Sequence, residues 1–296
     1  MPDERLAVRK TYKLFIGGAF PRSESGRSYP VHGPRTGPRG GGERGGGLLA
    51  FAAQASRKDA RDAVKAARGA FGGWSGATAY NRGQVLYRVA EMLEGRAAQF
   101  TAEVAAAEGV SQAAARTQVG AAIDRWVWYA GWPDKVAQVA GAPNQVAGPY
   151  LNVSTPEPTG VVAILAPAAP SLLGLVSVLA PVIATGNTAV LVASQDHPLP
   201  AITLAEVLAT SDVPGGVVNI LTGDQAELAP VLAGHMDVDA IDLTGAGPDR
   251  AVVLERLAAG NLKRAFRVDE DWSADPGTRR LLLLLEIKTV WHPAGS

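Results

Sequence analysis

His235, Asp237 and Asp239 bring an imidazole and two carboxylates together in "HMDVD", a grouping that could move protons if a third side chain oriented it. No such side chain stands nearby in the sequence, and the stretch reads as a hydrated turn ahead of a strand. Ser171 and Ser177 fall in a helix-like segment with no partner base, so neither is an activated nucleophile. The four histidines, at 32, 197, 235 and 292, show no i,i+4 spacing and no cysteine pairing, which leaves a metal centre without support. Cysteine is absent from all 296 residues. Disulfides, thiolate metal sites and a cysteine nucleophile are thereby excluded from this chain. The glycines of "GPRTGPRGGGERGGG" (33–47) could suggest a phosphate cradle, but no strand leads in and no helix follows at once. A mobile surface loop is expected there.

Bulk composition narrows the partners. The 28 basic and 28 acidic residues cancel, which gives no steering toward nucleic acid or an anionic membrane. Apolar residues make up 47% and charged residues 19%, the balance of a folded chain with ample core. The opening "MPDERLAVRK" is charged and carries no apolar signal region, so a cytoplasmic protein is expected. From Pro158 to Gln195 no residue is charged, long enough to span a bilayer. Pro167, Pro170, Pro181 and the Gly186-Asn187-Thr188 turn divide that run. A buried strand–helix–strand unit, covered on both faces, explains it better than a membrane span.

The elements that would position any site follow from periodicity. Residues 12–31 read as short strands around a Gly-Gly turn. Ser56 caps a helix reaching about Phe71; Leu86, Val89, Ala90 and Leu93 mark a second; a third is expected over about 111–139, with Ile123, Trp126, Val127 and Ala130 on one face. Residues 146–160 alternate, with Leu151, Val153 and Thr155 on one side. A β-α-β rhythm follows, with strands at 161–165, 188–192, 216–221 and 240–243 and a fifth over 262–268. The fold class is therefore α/β: a Rossmann-like doubly wound parallel sheet with N-terminal helices. The closing "RLLLLLEIKTVWHPAGS" reads as one more strand, with Ile287, Thr289 and Trp291 pointing one way. A lone strand of this kind needs a neighbour.

The phrases "LFIGGAF", "AVKAARGAFGGW", "EPTGVVAIL", "APVIATGNTAVL", "VPGGVVNILTG", "DVDAIDLTG" and "NLKR" stand in one order over residues 12–264. In that order they resemble the aldehyde dehydrogenase superfamily. The resemblance implies a dinucleotide-binding-like domain from 1–143 and 161–268, and an oligomerisation β-sheet from 144–160 and 281–296. Between "NLKR" and the leucines the family places a catalytic domain of roughly 150–200 residues; here 269–280 looks like a linker replacing it. The pattern is also reminiscent of the family-16 branch, whose two-part members carry a degenerate half.

Carried residue by residue, the resemblance implies losses. The family's cysteine has no counterpart. Its oxyanion-binding asparagine falls within Pro167-Ala168-Ala169-Pro170, where no side chain donates. Its general-base glutamate falls on Val268, although Asp269 and Glu270 lie one and two residues on. A chain that is not an enzyme, with no catalytic residues and no metal, is therefore expected. The family's ribose-holding Lys-Pro-Ser-Glu reads Val192, Ala193, Ser194, Gln195, which removes two charge-assisted contacts. Its phosphate-facing turn reads Gly245-Ala246-Gly247-Pro248-Asp249-Arg250, with an acidic side chain where a pyrophosphate would come. No cofactor is expected; residual NAD(P) binding would fall to Gly245, Gly247 and Ser194. The expected role is a scaffold or regulatory subunit that joins a full-length aldehyde dehydrogenase, itself, or both through the terminal strand, using Leu151, Val153, Leu283, Leu285, Ile287, Thr289 and Trp291. A degenerate dinucleotide- or small-anion-binding homodimer is the second expectation. Neither nucleic acid nor membrane is an expected partner.

Overall fold

The structure, a computed structural model, describes residues 9–34 and 46–294. The charged opening stretch 1–8, the centre 35–45 of the Gly/Pro/Arg loop and the last two residues of the expected 281–296 strand lie outside the described residues. Strands β1 (Thr11–Tyr12), β2 (Ser28–His32) and β3 (Leu48–Ala53) form a small sheet with β3 in the middle. Between β1 and β2 the chain turns at Gly17 and Gly18, both at positive φ, where a Cβ on Gly18 would stand 2.9 Å from the Gly215 Cα. That close approach requires glycine. It lets Phe15 pair with Ile220 and ties this sheet to the main one.

Helix α1 (Arg57–Ser75) starts as expected at Ser56. The serine hydroxyl accepts from the Lys58 and Asp59 N–H groups, and the Asp59 carboxylate accepts from the Ser56 N–H at 2.8 Å. This reciprocal arrangement satisfies N–H groups that the helix cannot. Helices α2 (Ala79–Glu94), α3 (Ala97–Glu108) and α4 (Gln112–Ala130) follow. The helix expected over 111–139 is instead interrupted: α4 stops at Gly131 and α5 (Val136–Ala140) starts afresh. Pro133 supplies the reason, since it has no N–H and its ring collides with the preceding turn.

Strands β4 (Ala142–Asn144) and β5 (Tyr150–Pro158) form the expected hairpin. Then comes the wound sheet: β6 (Val161–Leu165), α6 (Leu173–Ala184), β7 (Thr188–Val192), α7 (Leu199–Ala209), β8 (Val218–Leu221), α8 (Gln225–Ala233), β9 (Ala240–Asp242), α9 (Pro248–Ala258) and β10 (Arg264–Phe266). The strand order is β10-β9-β6-β7-β8, with every pairing parallel. Val162 and Ile164 of β6 pack into one core with α2, α4, α6 and α7; Val161, Ala163 and Leu165 pack into the other with α1, α8 and α9. A strand apolar on both faces is what two helical layers demand. The uncharged run is thus β6–α6–β7, and no helix among the described residues is long and apolar enough to cross a membrane.

The chain's end departs from expectation. Arg279–Leu283 forms a short helix, α10, and only Leu285–Pro293 forms a strand, β11. Leucine is a strong helix former, which suits α10, whereas extension sets in at Leu285, where pairing with β5 begins, and runs on through the β-branched Ile287, Thr289 and Val290. Strand β11 pairs antiparallel with β5 along its whole length, which gives a third sheet in the order β11-β5-β4.

Candidate functional site

Chain order reverses between β6 and β9. Helix α6 leaves β6 on one face of the sheet and α9 leaves β9 on the other, which opens a crevice at their carboxyl ends. A cavity of about 480 Å³ lies there. Its walls come from Pro167–Ala169 after β6, from Thr244, Gly245 and Pro248 around the start of α9, and from Arg267–Glu270 and Trp272.

The two glycines of the turn do different work. A Cβ on Gly245 would sit 2.1 Å from the Ala166 carbonyl oxygen, so this glycine lets the ends of β6 and β9 touch backbone to backbone. Gly247 has open space where its Cβ would be. It is the N-cap of α9 without a capping side chain, and the Asp249 and Arg250 N–H groups have no acceptor among the described residues. Open space, bare N–H groups and the positive end of an eleven-residue helix suit an anionic group. Arg267 adds an exposed guanidinium on the same wall, whereas Asp249 in the first turn works against an anion.

Ser194 faces inward at 5% exposure, its hydroxyl accepting from the His197 N–H at 3.2 Å. Two neighbours are left with buried polar atoms that have no partner among the described residues: His197 Nδ1 and Tyr29 Oη. Burial, and then the charge of Asp196, push the Tyr29 hydroxyl well above its usual range. Unsatisfied groups of this kind past β7 are places where a ligand hydroxyl or a water would be bound. Open donors and acceptors thus stand at two places along the carboxyl edge of the sheet, at the start of α9 and past β7.

Residues 269–280, expected to be a polar linker, are fastened into this crevice by two arginines. Arg280, 1% exposed, donates to Asp242 Oδ2 at 2.6 Å, Glu270 Oε2 at 2.7 Å and Thr244 Oγ1 at 3.1 Å. Burial pulls its guanidinium down, but the Asp242 and Glu270 carboxylates more than offset this and hold it above its ordinary value. Arg125 donates from below to the carbonyls of Trp272 at 2.9 Å and Ala274 at 3.0 Å. Glu270 is thus tied to Arg280, while Asp269 is exposed on the cavity wall. One signal in the sequence pointed here. Asp242 ends a fully buried strand and requires a cation at its side.

The remaining candidates are structural. Asp239 accepts from Arg68 at 2.6 Å and from the Val161 N–H at 2.7 Å. His235 Nδ1 accepts from the Asp237 N–H at 3.1 Å, and Lys263 donates to the His235 carbonyl at 2.7 Å. Ser171 donates to Glu108 and Ser177 to the Leu173 carbonyl. Among the described residues no group of three or more His, Asp or Glu side chains is placed to hold a metal ion.

The seven residues expected on an assembly surface do not share one. Thr289 lies opposite Ser154 and Trp291 opposite Asn152, so Ile287, Thr289 and Trp291 occupy one face of the third sheet, with Tyr150 packed edge-on to Trp291 at 5.7 Å. Leu151 and Val153 lie opposite His292 and Val290 on the other face. A strand's side chains alternate, and the register decides which set meets which. Leu283 belongs to α10, and Leu285 is buried at the first position of β11, opposite Pro158. The outer edge of β11 has no strand beside it among the described residues.

Known proteins resemble this arrangement. The sequence model of the aldehyde dehydrogenase family matches residues 45–266. The cytosolic 10-formyltetrahydrofolate dehydrogenase of Mus musculus is 33% identical over 266 residues, which are 88% of this chain and 28% of that protein. The mitochondrial aldehyde dehydrogenase family 2 member B4 of Arabidopsis thaliana is 33% identical over 254 residues, 85% of this chain and 45% of that one. The chain thus spans less than half the length of either relative. Among solved structures, an NAD+ complex of an aldehyde dehydrogenase from Bacillus cereus superposes with a TM-score of 0.78 at 27% identity, covering 86% of this chain and 50% of that one. HpcC from Thermus thermophilus gives 0.78 at 32% identity, over 86% and 47%.

These matches correct two expectations drawn from the sequence. That the chain is not an enzyme is overturned by relatives that are dehydrogenases over most of its length. That it takes no cofactor is overturned by the NAD+ complex among its structural neighbours. Substituted side chains misled the reading, because the open groups at the start of α9 are backbone N–H groups, which replacement of side chains leaves in place.

Proposed function

Because the chain belongs to the aldehyde dehydrogenase family, we propose that it is the nicotinamide-dinucleotide-binding and assembly unit of an aldehyde-oxidising enzyme. The open N-terminus of α9 at the β6/β9 crevice is the observation that carries this reading. Gly247 and the first-turn N–H groups would hold the diphosphate, with Arg267 beside it. Tyr29 and His197 would meet the adenosine end past β7. The oxidised cofactor supplies a hydride acceptor when bound.

Since the 296 residues contain no cysteine, the nucleophile would come from another chain of the same family. The third sheet would bring that chain in. Nine residues of β11 extend over about 30 Å and offer an unpaired main-chain edge. In such an assembly the present chain is the subunit that binds cofactor and fixes the partner's position.

Two measurements test the proposal. Calorimetry with NAD+, NADP+ and ADP-ribose should give saturable binding; flat titrations at millimolar ligand would overturn the cofactor part. Co-expression with a full-length, cysteine-containing aldehyde dehydrogenase should give one species of mixed mass. Two separately eluting species would overturn the assembly part, and a mass equal to two copies of this chain would assign the edge to self-pairing.

A further inference from the structure

Trp272 is the one aromatic side chain among the described residues on the wall of the crevice cavity, and both its backbone and its ring are held. The Arg125 guanidinium binds its carbonyl at 2.9 Å, and the Arg280 guanidinium stands 5.7 Å from its ring centroid. Arg280 is itself fixed by Asp242, Glu270 and Thr244. A ring immobilised by buried arginines presents its surface with little rotamer entropy left to lose, which is the condition for a good binding platform. Asp269, exposed on the same wall and without an ion-pair partner among the described residues, adds a negative charge beside it.

Resting on the cofactor reading above, we propose that Trp272 is a specificity-determining residue: the platform on which the oxidised nicotinamide ring stacks. Among the two rings of the dinucleotide, the oxidised nicotinamide is a cation and adenine is neutral. An indole attracts a planar cation through its ring quadrupole, and Asp269 offsets the Arg267 charge on the same wall. The lining of the same cavity includes Thr244, Gly245 and Pro248 at the start of α9, so one cavity would take the diphosphate as well as the ring. This assignment gives a role to the segment after β10, where the chain departs from the phrases it shares with its family.

The test compares ligands with and without the ring. Wild type, Trp272→Ala, Trp272→Phe and Trp272→Leu are titrated by calorimetry with NAD+ and with ADP-ribose, after circular dichroism and melting confirm that each variant is folded. Trp272→Ala and Trp272→Leu should weaken NAD+ by about tenfold, the size of one lost stacking contact. Trp272→Phe should keep most of the affinity, and ADP-ribose should change by less than about twofold in every variant. Tryptophan emission should fall on adding NAD+ to wild type and lose that response in Trp272→Phe. Equal losses for both ligands, or unchanged NAD+ affinity in Trp272→Leu, would overturn the platform while leaving the cofactor reading intact. If wild type bound neither ligand, the cofactor reading would fall and the platform with it.

Discussion

Arg280→Ala removes the cation from a site where the facing carboxylate, Asp242, is 1% exposed. The wild-type guanidinium makes three hydrogen bonds there, at 2.6, 2.7 and 3.1 Å. After the substitution Asp242 keeps only Thr244 as a partner, through its N–H at 2.9 Å and its hydroxyl. Deleting one member of a buried pair strands the other charge away from water, which costs about 3–5 kcal/mol. For a chain of this size that lowers the melting temperature by about 5–8 °C. Urea unfolding at pH 7 measures the loss directly. Adding Asp242→Asn keeps an acceptor for the Thr244 N–H but removes the stranded charge, so the double variant should recover about half of the deficit. A loss below about 1 kcal/mol for Arg280→Ala, or a double variant as unstable as the sum of the singles, would refute the reasoning.

Three further outcomes are expected. Asn187→Ala strips the Gly160 N–H, the Thr185 hydroxyl and the Leu284 carbonyl of a fully buried partner, and should cost about 3 kcal/mol in urea unfolding. Lys263, whose ammonium is pulled down by burial from 10.5 to about 8, is charged in the unfolded chain and neutral in the folded one between those values. The unfolded state therefore holds the extra proton, stability rises with pH across that window, and Lys263→Met should flatten the rise in melting temperature over pH 8–10.5. Gly247→Glu places a carboxylate against the anion-facing end of α9 and should weaken NAD+ and ADP-ribose alike by at least about tenfold in calorimetry.

The wound sheet was legible because its signals are local. Strands 161–165 and 188–192 coincide with β6 and β7, residue for residue, since each is a short apolar run that follows a glycine turn, at Gly160 and at Gly186-Asn187. Strand 216–221 begins later than expected, at Val218, because Gly216 adopts φ +91°, outside the extended region. What escaped the sequence depends on partners far along the chain. The Arg280–Asp242 pair joins residues 38 apart, and no periodicity connects them. The register of β11 on β5 likewise decides that Leu151 and Trp291 face opposite ways, although each strand alone showed only alternation. At the crevice, substituted side chains were visible in the sequence, whereas the open backbone N–H groups at the start of α9 are the same whatever residue carries them.

Arg280 and Leu285 are separated by one short turn of chain, and Asn187 grips the Leu284 carbonyl between them. The crevice and the third sheet are therefore two ends of the same tether. A subunit docked on β11 and a cofactor stacked on Trp272, as proposed, would each stiffen that tether from their own side. Thermodynamics makes any such help mutual: to whatever degree docking sharpens cofactor binding, cofactor must sharpen docking by the same factor.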